Sequence, residues 1–231
     1  MNVAYLDPAY SRYFHELAGC LASRTGGQSV ALLSSPAYRQ YTCGDRAVVW
    51  PPGQSKHLRH LPPEFEHATW APLNDPRSVA VFSQAVAWFI ERFIDEATDV
   101  CLVFSDARPF SVAARLAAQE LGIVCLYFER GAFRLCTSSL STQGLNARFS
   151  LKRAQVQARI TGLAAEQPLP RRPIEPWLRT RFARFVLHNA LACLLDRDRG
   201  RIQHKRYSLR RYLRLALSQL WAEHHPWRSK I

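Results

Sequence analysis

The chain contains no apolar run approaching the ~20 residues that a membrane-spanning helix needs. Its best candidate, residues 182–195, is interrupted by Arg184, His188 and Asn189. An integral membrane protein is therefore not expected. The N-terminus, Met-Asn-Val-Ala-Tyr-Leu-Asp-Pro, has neither the basic region nor the long apolar stretch of a secretory signal, so export is not expected either. Cys20, Cys43, Cys101, Cys125, Cys136 and Cys193 form no Cys-x-x-Cys pair and show no zinc-finger spacing. Four of them lie inside apolar runs, where a reduced cysteine behaves as a small hydrophobe. The expectation is buried free thiols in a reducing compartment, with neither disulfides nor metal. Phosphate-cradling motifs are missing as well: there is no G-x-G-x-x-G and no G-x-x-x-x-G-K-[ST]. Neither a G-x-S-x-G elbow nor H-E-x-x-H occurs. The eight histidines are scattered; the only close groupings, His57 with His60 and His224 with His225, read as surface loops rather than metal ligands. No metal or cofactor is expected on this basis. Internal repeats and low-complexity tracts are absent too.

What is present is a core and a basic excess. The 231 residues are 48% apolar, enough for one large domain or two small ones. Recurring aromatics and aliphatics exclude global disorder. Lys and Arg number 31 against 18 Asp and Glu, a formal charge of +13. That charge is unevenly placed. Residues 1–147 hold 12 basic and 13 acidic side chains, net −1, whereas residues 148–231 hold 19 and 5, net +14. Two segments with different tasks are the natural expectation.

Residues 1–147 alternate between strand and helix patterns. Val3–Leu6 is a short apolar strand stopped by Asp7-Pro8. Residues 10–24 carry Tyr10, Phe14, Leu17, Cys20 and Leu21 on one helical face and end at Gly26-Gly27. A second buried strand spans Ser29–Leu33. Residues 36–76, rich in Pro and His, show one weak strand at 47–50 and are otherwise unreadable. Val79, Phe82, Val86, Phe89, Ile90 and Phe93 recur at helical spacing up to about Ala97. Next come a continuous apolar strand, Val100–Phe104, a helix opening on Pro109 and closed by Gly122, and a strand over 123–128. The fold class is α/β, a Rossmann-like parallel sheet. In such sheets ligands bind outside the carboxyl ends of the strands, where Asp7, Ser34, Asp106, Arg108 and Glu129 fall.

Residues 148–231 read as a basic helical segment. Helices are expected over 152–165 and 177–195, separated by a Pro-rich spacer at 168–176. Leu209, Tyr212, Leu213, Ala216, Leu217, Leu220 and Trp221 form an apolar stripe opposite Arg210, Arg211 and Arg214. The stripe is expected to pack on the sheet domain. Its arginine side suits an anionic membrane surface next, and nucleic acid last, since no nucleic-acid-binding motif accompanies the charge.

Two constellations carry chemistry. Asp106-Ala-Arg108-Pro109 and Glu129-Arg130-Gly131-Ala-Phe-Arg134 follow successive strands. Carboxylates and guanidinium groups at one sheet edge can orient hydroxyls, phosphates or a sugar carboxylate. A capping Asp and loop-fixing ion pairs account for the same residues without any ligand, and by frequency alone stand slightly ahead.

Over residues 101–146 the chain resembles the Kps-type capsule polysaccharide family, bacterial β-Kdo transferases. That family's G-D-C-R-P-x-H turn reads here Ser105-Asp106-Ala107-Arg108-Pro109-Phe110-Ser111. Its F-E-E-G-Y-L-R-P reads Phe128-Glu129-Arg130-Gly131-Ala132-Phe133-Arg134-Leu135, and its T-L-E-x-x-G-V-N is similar to Ser139-Leu140-Ser141-Thr142-Gln143-Gly144-Leu145-Asn146. A Q-H-H-R element resembles Gln203-His204-Lys205-Arg206. The departures are Ser111, Arg130, Leu135 and Ser141, two of which replace a carboxylate and so remove any role as a base there.

The resemblance implies the first lobe of a two-lobed GT-B-type transferase, with Asp106 and Glu129 orienting acceptor hydroxyls. It places Asp7, Arg108, Gly131, Arg134, Gly144 and Asn146 around the substrate. The implied partners are a nucleotide sugar, CMP-Kdo, a glycolipid or glycan acceptor, and a second chain completing the cleft; nucleic acid is not expected. The implied location is the cytoplasm or the cytoplasmic face of the inner membrane, with residues 148–231 against anionic lipid. A truncated homologue that binds glycan or capsule-machinery partners without transfer is the alternative.

Overall fold

Five apolar segments make the parallel part of one sheet: β1 (Val3–Leu6), β2 (Ser29–Leu33), β3 (Ala47–Val49), β4 (Val100–Phe104) and β5 (Val124–Arg130). A sixth, β6 (Ser138–Ser141), runs antiparallel to β5 at the edge. The strand order is β3-β2-β1-β4-β5-β6. β1 is central: Val3 lies opposite Ser29 of β2 on one side and Val100 of β4 on the other. This computed structural model describes residues 1–8, 12–42, 46–53, 76–105, 108–130, 138–142 and 177–202, with Arg214, Leu217, Ser218 and Trp221. The expected α/β, Rossmann-like sheet is therefore observed.

The period-two alternation of each strand divides the core into two layers. Ala4, Leu6, Val30, Leu32, Cys101, Val103, Cys125 and Tyr127 face α2 (Pro76–Asp95) and α3 (Pro109–Leu121). Val3, Tyr5, Ala31, Leu33, Leu102 and Phe128 face α1 (Tyr13–Arg24) and α4 (Trp177–Leu195). Phe89 anchors the first layer, with Phe93 and Phe110 rings 5.6 and 4.7 Å away. In the second layer the 3-10 helix Pro36–Tyr41 brings Tyr38 within 4.7 Å of Phe185 on α4. A part of the strongly basic segment 148–231 thus belongs to the sheet domain's own core.

Helix α3 begins at Pro109 and stops at Gly122, as the sequence predicts. Gly122 adopts φ 70°, where a Cβ is strained even though added carbon would meet nothing within 4 Å. Gly122→Ala is expected to lower stability by about 1 kcal/mol through backbone conformation alone, measurable by urea unfolding.

Several expectations change. Cys20, placed on the buried face of α1, is exposed; the helix buries Phe14, Ala18 and Ala22, so its inward stripe is rotated toward the small residues. Cys101 and Cys125 are buried, in register on β4 and β5, and burial pushes the Cys101 thiol up, which keeps it an inert packing group. β5 extends past Phe128 to Arg130 because β6 supplies it with a pairing edge. That edge strand, Ser-Ser-Leu-Ser, has no apolar alternation to announce it. Arg214, Leu217, Ser218 and Trp221 are helical, with Leu217 and Trp221 exposed, and the rest of the 209–221 stripe lies outside the described residues. The helix expected over 152–165, the spacer at 168–176, Tyr10, Cys43, Cys136 and the paired histidines lie outside the described residues. Among the described residues, no helix is long and apolar enough to cross a membrane.

Candidate functional site

A reversal of chain direction locates the site. From β1 the chain moves outward through α1 to β2, whereas from β4 it moves the opposite way through α3 to β5, with helices on opposite faces. The carboxyl ends of β1 and β4 therefore diverge in their connections, leaving an opening where ligands bind in open parallel sheets. Asp7 follows β1, Ser34 follows β2, and Ser105 and Arg108 lie between β4 and α3.

Asp7 is held by its neighbour strand. Its Oδ1 accepts from the Ser34 amide at 2.8 Å and its Oδ2 from the Ser34 hydroxyl at 2.5 Å. Pro8 prevents the chain from continuing the ladder, so the carboxylate sits at the sheet's edge. Burial pushes the Asp7 carboxyl up to about 6, against the opposing pull of the Ser34 hydrogen bonds and of the Arg108 and Arg199 charges. A group of this kind changes protonation close to neutral pH, as acid–base catalysts do.

Arg199 reaches this edge from α5 (Arg197–Arg201), a short helix following α4. Asp196 caps it, its Oδ1 accepting from the Asp198 and Arg199 amides at 3.1 and 3.2 Å. Arg77 of α2 pairs with Asp198, and Arg201 Nη1 donates to Ser78 Oγ at 2.9 Å. Ile202 then enters the α2–α3 layer. Helices leading into parallel strands start at the carboxyl edge, so these ties stretch α5 across that edge. Arg199 Nη1 consequently donates to the Ser34 carbonyl at 2.6 Å. Only 11% of its side chain is exposed, and burial lowers its affinity for the proton while Asp196 and Asp7 oppose this.

Arg108 stands over the Phe104 ring, its guanidinium carbon 4.7 Å from the centroid. At the end of β4, Ser105 has φ 66°, a left-handed conformation costing a non-glycine residue about 1 kcal/mol. The Ser105 amide donates to the Phe128 carbonyl at 2.8 Å, which ties Ser105 to β5. Ser111, standing where the resembled family has a histidine, is buried and donates to the Phe104 carbonyl at 3.3 Å.

Two guanidinium groups thus flank one carboxyl that is half-titrated near pH 6. At neutral pH this arrangement favours an anionic ligand carrying hydroxyls. Among the described residues, no group of three or more His, Cys, Asp or Glu side chains is placed to hold a metal ion.

Of the residues singled out from sequence, the structure brings Asp7, Ser34 and Arg108 together. Glu129 lies on β5 in register with Ser139 of β6. Asp106, Gly131, Arg134, Gly144 and Asn146 lie outside the described residues. Arg199 was not foreseen. Its one sequence signal is Asp196, a capping residue after an apolar helix, which announces a new helical turn but not its direction.

No protein-family model matches the chain, and no curated protein matches it. A solved structure called a "putative UDP-N-acetylglucosamine 2-epimerase" from Listeria monocytogenes is similar over 55% of this chain and 29% of its own length. The identity is 16% and the TM-score 0.35. The fold assignment stands on the strand order and register themselves.

Proposed function

We propose that the chain is the first lobe of a glycosyl-transfer protein resembling the β-Kdo transferases, and that its carboxyl-edge site takes an anionic sugar. The observation that carries this reading is the convergence of Asp7, Arg108 and Arg199 at the point where the sheet's connections reverse. A sugar carboxylate or a phosphate matches the guanidinium groups, and a sugar hydroxyl matches Asp7. The sequence resemblance over residues 101–146 supports the same site, because its motifs follow β4 and β5.

The chemistry then assigns roles. An acceptor hydroxyl oxygen attacks the anomeric carbon of the donor sugar, and the bond to the nucleotide phosphate breaks with its electron pair leaving on the phosphate. The hydroxyl proton passes to a carboxylate. Asp7 is poised for this transfer by its raised proton affinity, with Asp106 and Glu129 as further acceptor-orienting acids. Arg108 and Arg199 hold the anionic groups, with Arg134 as a further candidate.

A second reading, binding without transfer, is favoured by Ser111, whose hydroxyl is committed to the Phe104 carbonyl. Incubating the purified chain with CMP-Kdo and a glycerolipid acceptor separates the two. Released CMP in step with glycosylated lipid is the result expected of a transferase. Saturable binding of CMP-Kdo without product selects the second reading, and neither binding nor product overturns both.

A further inference from the structure

Most aromatic rings of the sheet domain are kept inside. Among the described residues only Tyr13 and Trp221 are aromatic and exposed, and Tyr13 alone of the two belongs to the sheet domain. It is the first residue of α1, the helix that leads from β1 to parallel β2. The first turn of α1 therefore lies at the carboxyl edge, the edge that also carries Asp7. The next residue, Phe14, is buried in the core.

Tyr13 is 48% exposed, yet its ring is held firmly. It stands nearly perpendicular to Phe14 and to Phe128 of β5, with centroids 6.1 and 6.3 Å away and interplanar angles of 85° and 75°. Edge-to-face contacts of this kind are favourable beyond the area they bury. Phe14 in turn meets Phe128 at 5.2 Å and Phe104 at 6.1 Å. Arg108 lies over that same Phe104 ring. One aromatic cluster thus carries an exposed phenol ring and a guanidinium group of the carboxyl-edge site.

An exposed ring that is already fixed suits a particular kind of ligand. A pyranose has an apolar face of C–H bonds and a rim of hydroxyls. Its face can lie flat on an aromatic ring while its rim reaches hydrogen-bonding groups. Tyrosine gives this contact with little side-chain freedom to lose, and its aromatic neighbours have removed part of that cost in advance. A protein partner calls for a wider apolar patch than one ring, and a small inorganic anion gains nothing from it.

We infer that Tyr13 is a stacking platform for a pyranose ring at the rim of the carboxyl-edge site. The inference deepens the glycosyl-transfer reading and rests on it for the class of ligand. The same chemistry serves the sugar of the donor or a sugar of the acceptor, and the experiment separates the two.

Calorimetric titration and saturation-transfer NMR of the full chain test it. The probes are CMP, CMP-Kdo and the methyl glycosides of glucose, galactose, mannose and N-acetylglucosamine. Tyr13→Ala and Tyr13→Leu both remove the ring, and the leucine keeps apolar bulk; Tyr13→Phe keeps the ring. Circular dichroism reports that each variant is folded. A platform for the donor's sugar predicts that both ring-removing variants bind CMP-Kdo at least roughly fivefold more weakly while CMP binding is unchanged. A platform for the acceptor's sugar predicts that saturation transfer to at least one glycoside is lost in the same two variants. In either case Tyr13→Phe binds as wild type does. Sugar binding indifferent to Tyr13→Ala and Tyr13→Leu would overturn the inference and leave the carboxyl-edge site standing. Equal loss of CMP and CMP-Kdo, with the glycosides unaffected, would also overturn it. Glycoside binding that depends on Tyr13, without any binding of CMP-Kdo, would sustain the platform and contradict the donor reading. Binding of no probe at all would overturn both.

Discussion

Arg199→Met should weaken binding of an anionic sugar ligand by at least roughly tenfold and lower stability by about 2–4 kcal/mol. Both effects follow from one side chain. The guanidinium donates to the Ser34 carbonyl at 2.6 Å and shares the field of Asp7, so methionine leaves a carbonyl without its donor and a carboxylate with less compensation. Urea unfolding reads the stability, and calorimetric titration reads the affinity. Lysine at this position should recover only part of either, since an ammonium lacks the planar fork. If Arg199 acts through Asp7, the double variant with Asp7→Asn should lose less stability than the two single changes predict. Strict additivity would show that Arg199 serves only to fasten α5.

The second large effect concerns Asp7→Asn, where stability and activity should move in opposite directions. The folded-state carboxyl is raised from 3.8 to about 6, so the native protein holds this proton more tightly than the unfolded chain does. The stability contributed by protonated Asp7 is therefore fully present below about pH 3.8 and is lost as pH rises through about 6. The amide of the Asp7→Asn variant has no charge to bury. Its stability advantage over wild type should be small at pH 4, grow across the acidic range and level off above pH 7 at about 1–3 kcal/mol. Unfolding curves at pH 4, 6 and 8 test this. Transfer activity should fall by roughly 10²–10⁴ in the same variant, and in wild type the rate should rise with pH through about 6. A residue that makes the fold less stable at neutral pH while sitting where parallel sheets bind ligands is the pattern of a functional group.

The layered sheet was legible because its strands are continuous apolar runs and one of its helices, α3, is framed by Pro109 and Gly122. Asp7 and Arg108 were legible for the same reason: a residue just beyond a predicted strand is at the carboxyl edge whatever else is unknown. Arg199 was not, because its position depends on tertiary ties: the pairing of Arg77 with Asp198, the Arg201–Ser78 hydrogen bond and the burial of Ile202. A five-residue helix has no periodicity that could have revealed them. β6 escaped because its serines carry no alternation and its existence rests on backbone pairing with β5. In α4 the apolar residues spread round most of the helix, so sequence could not separate Phe185, which enters the core, from Leu195, which is 89% exposed. The charge split had a clear meaning in sequence only as a split. In space, α4 and α5 of the basic segment complete the core and supply Arg199 to the edge of the sheet.

Calorimetric titration of CMP-Kdo into the full chain at neutral pH is the most direct test of the carboxyl-edge site. Saturable binding by wild type is predicted, weakened at least roughly tenfold by Arg108→Ala and by Arg199→Met. Absence of saturable binding, or an affinity indifferent to both arginines, would contradict the account.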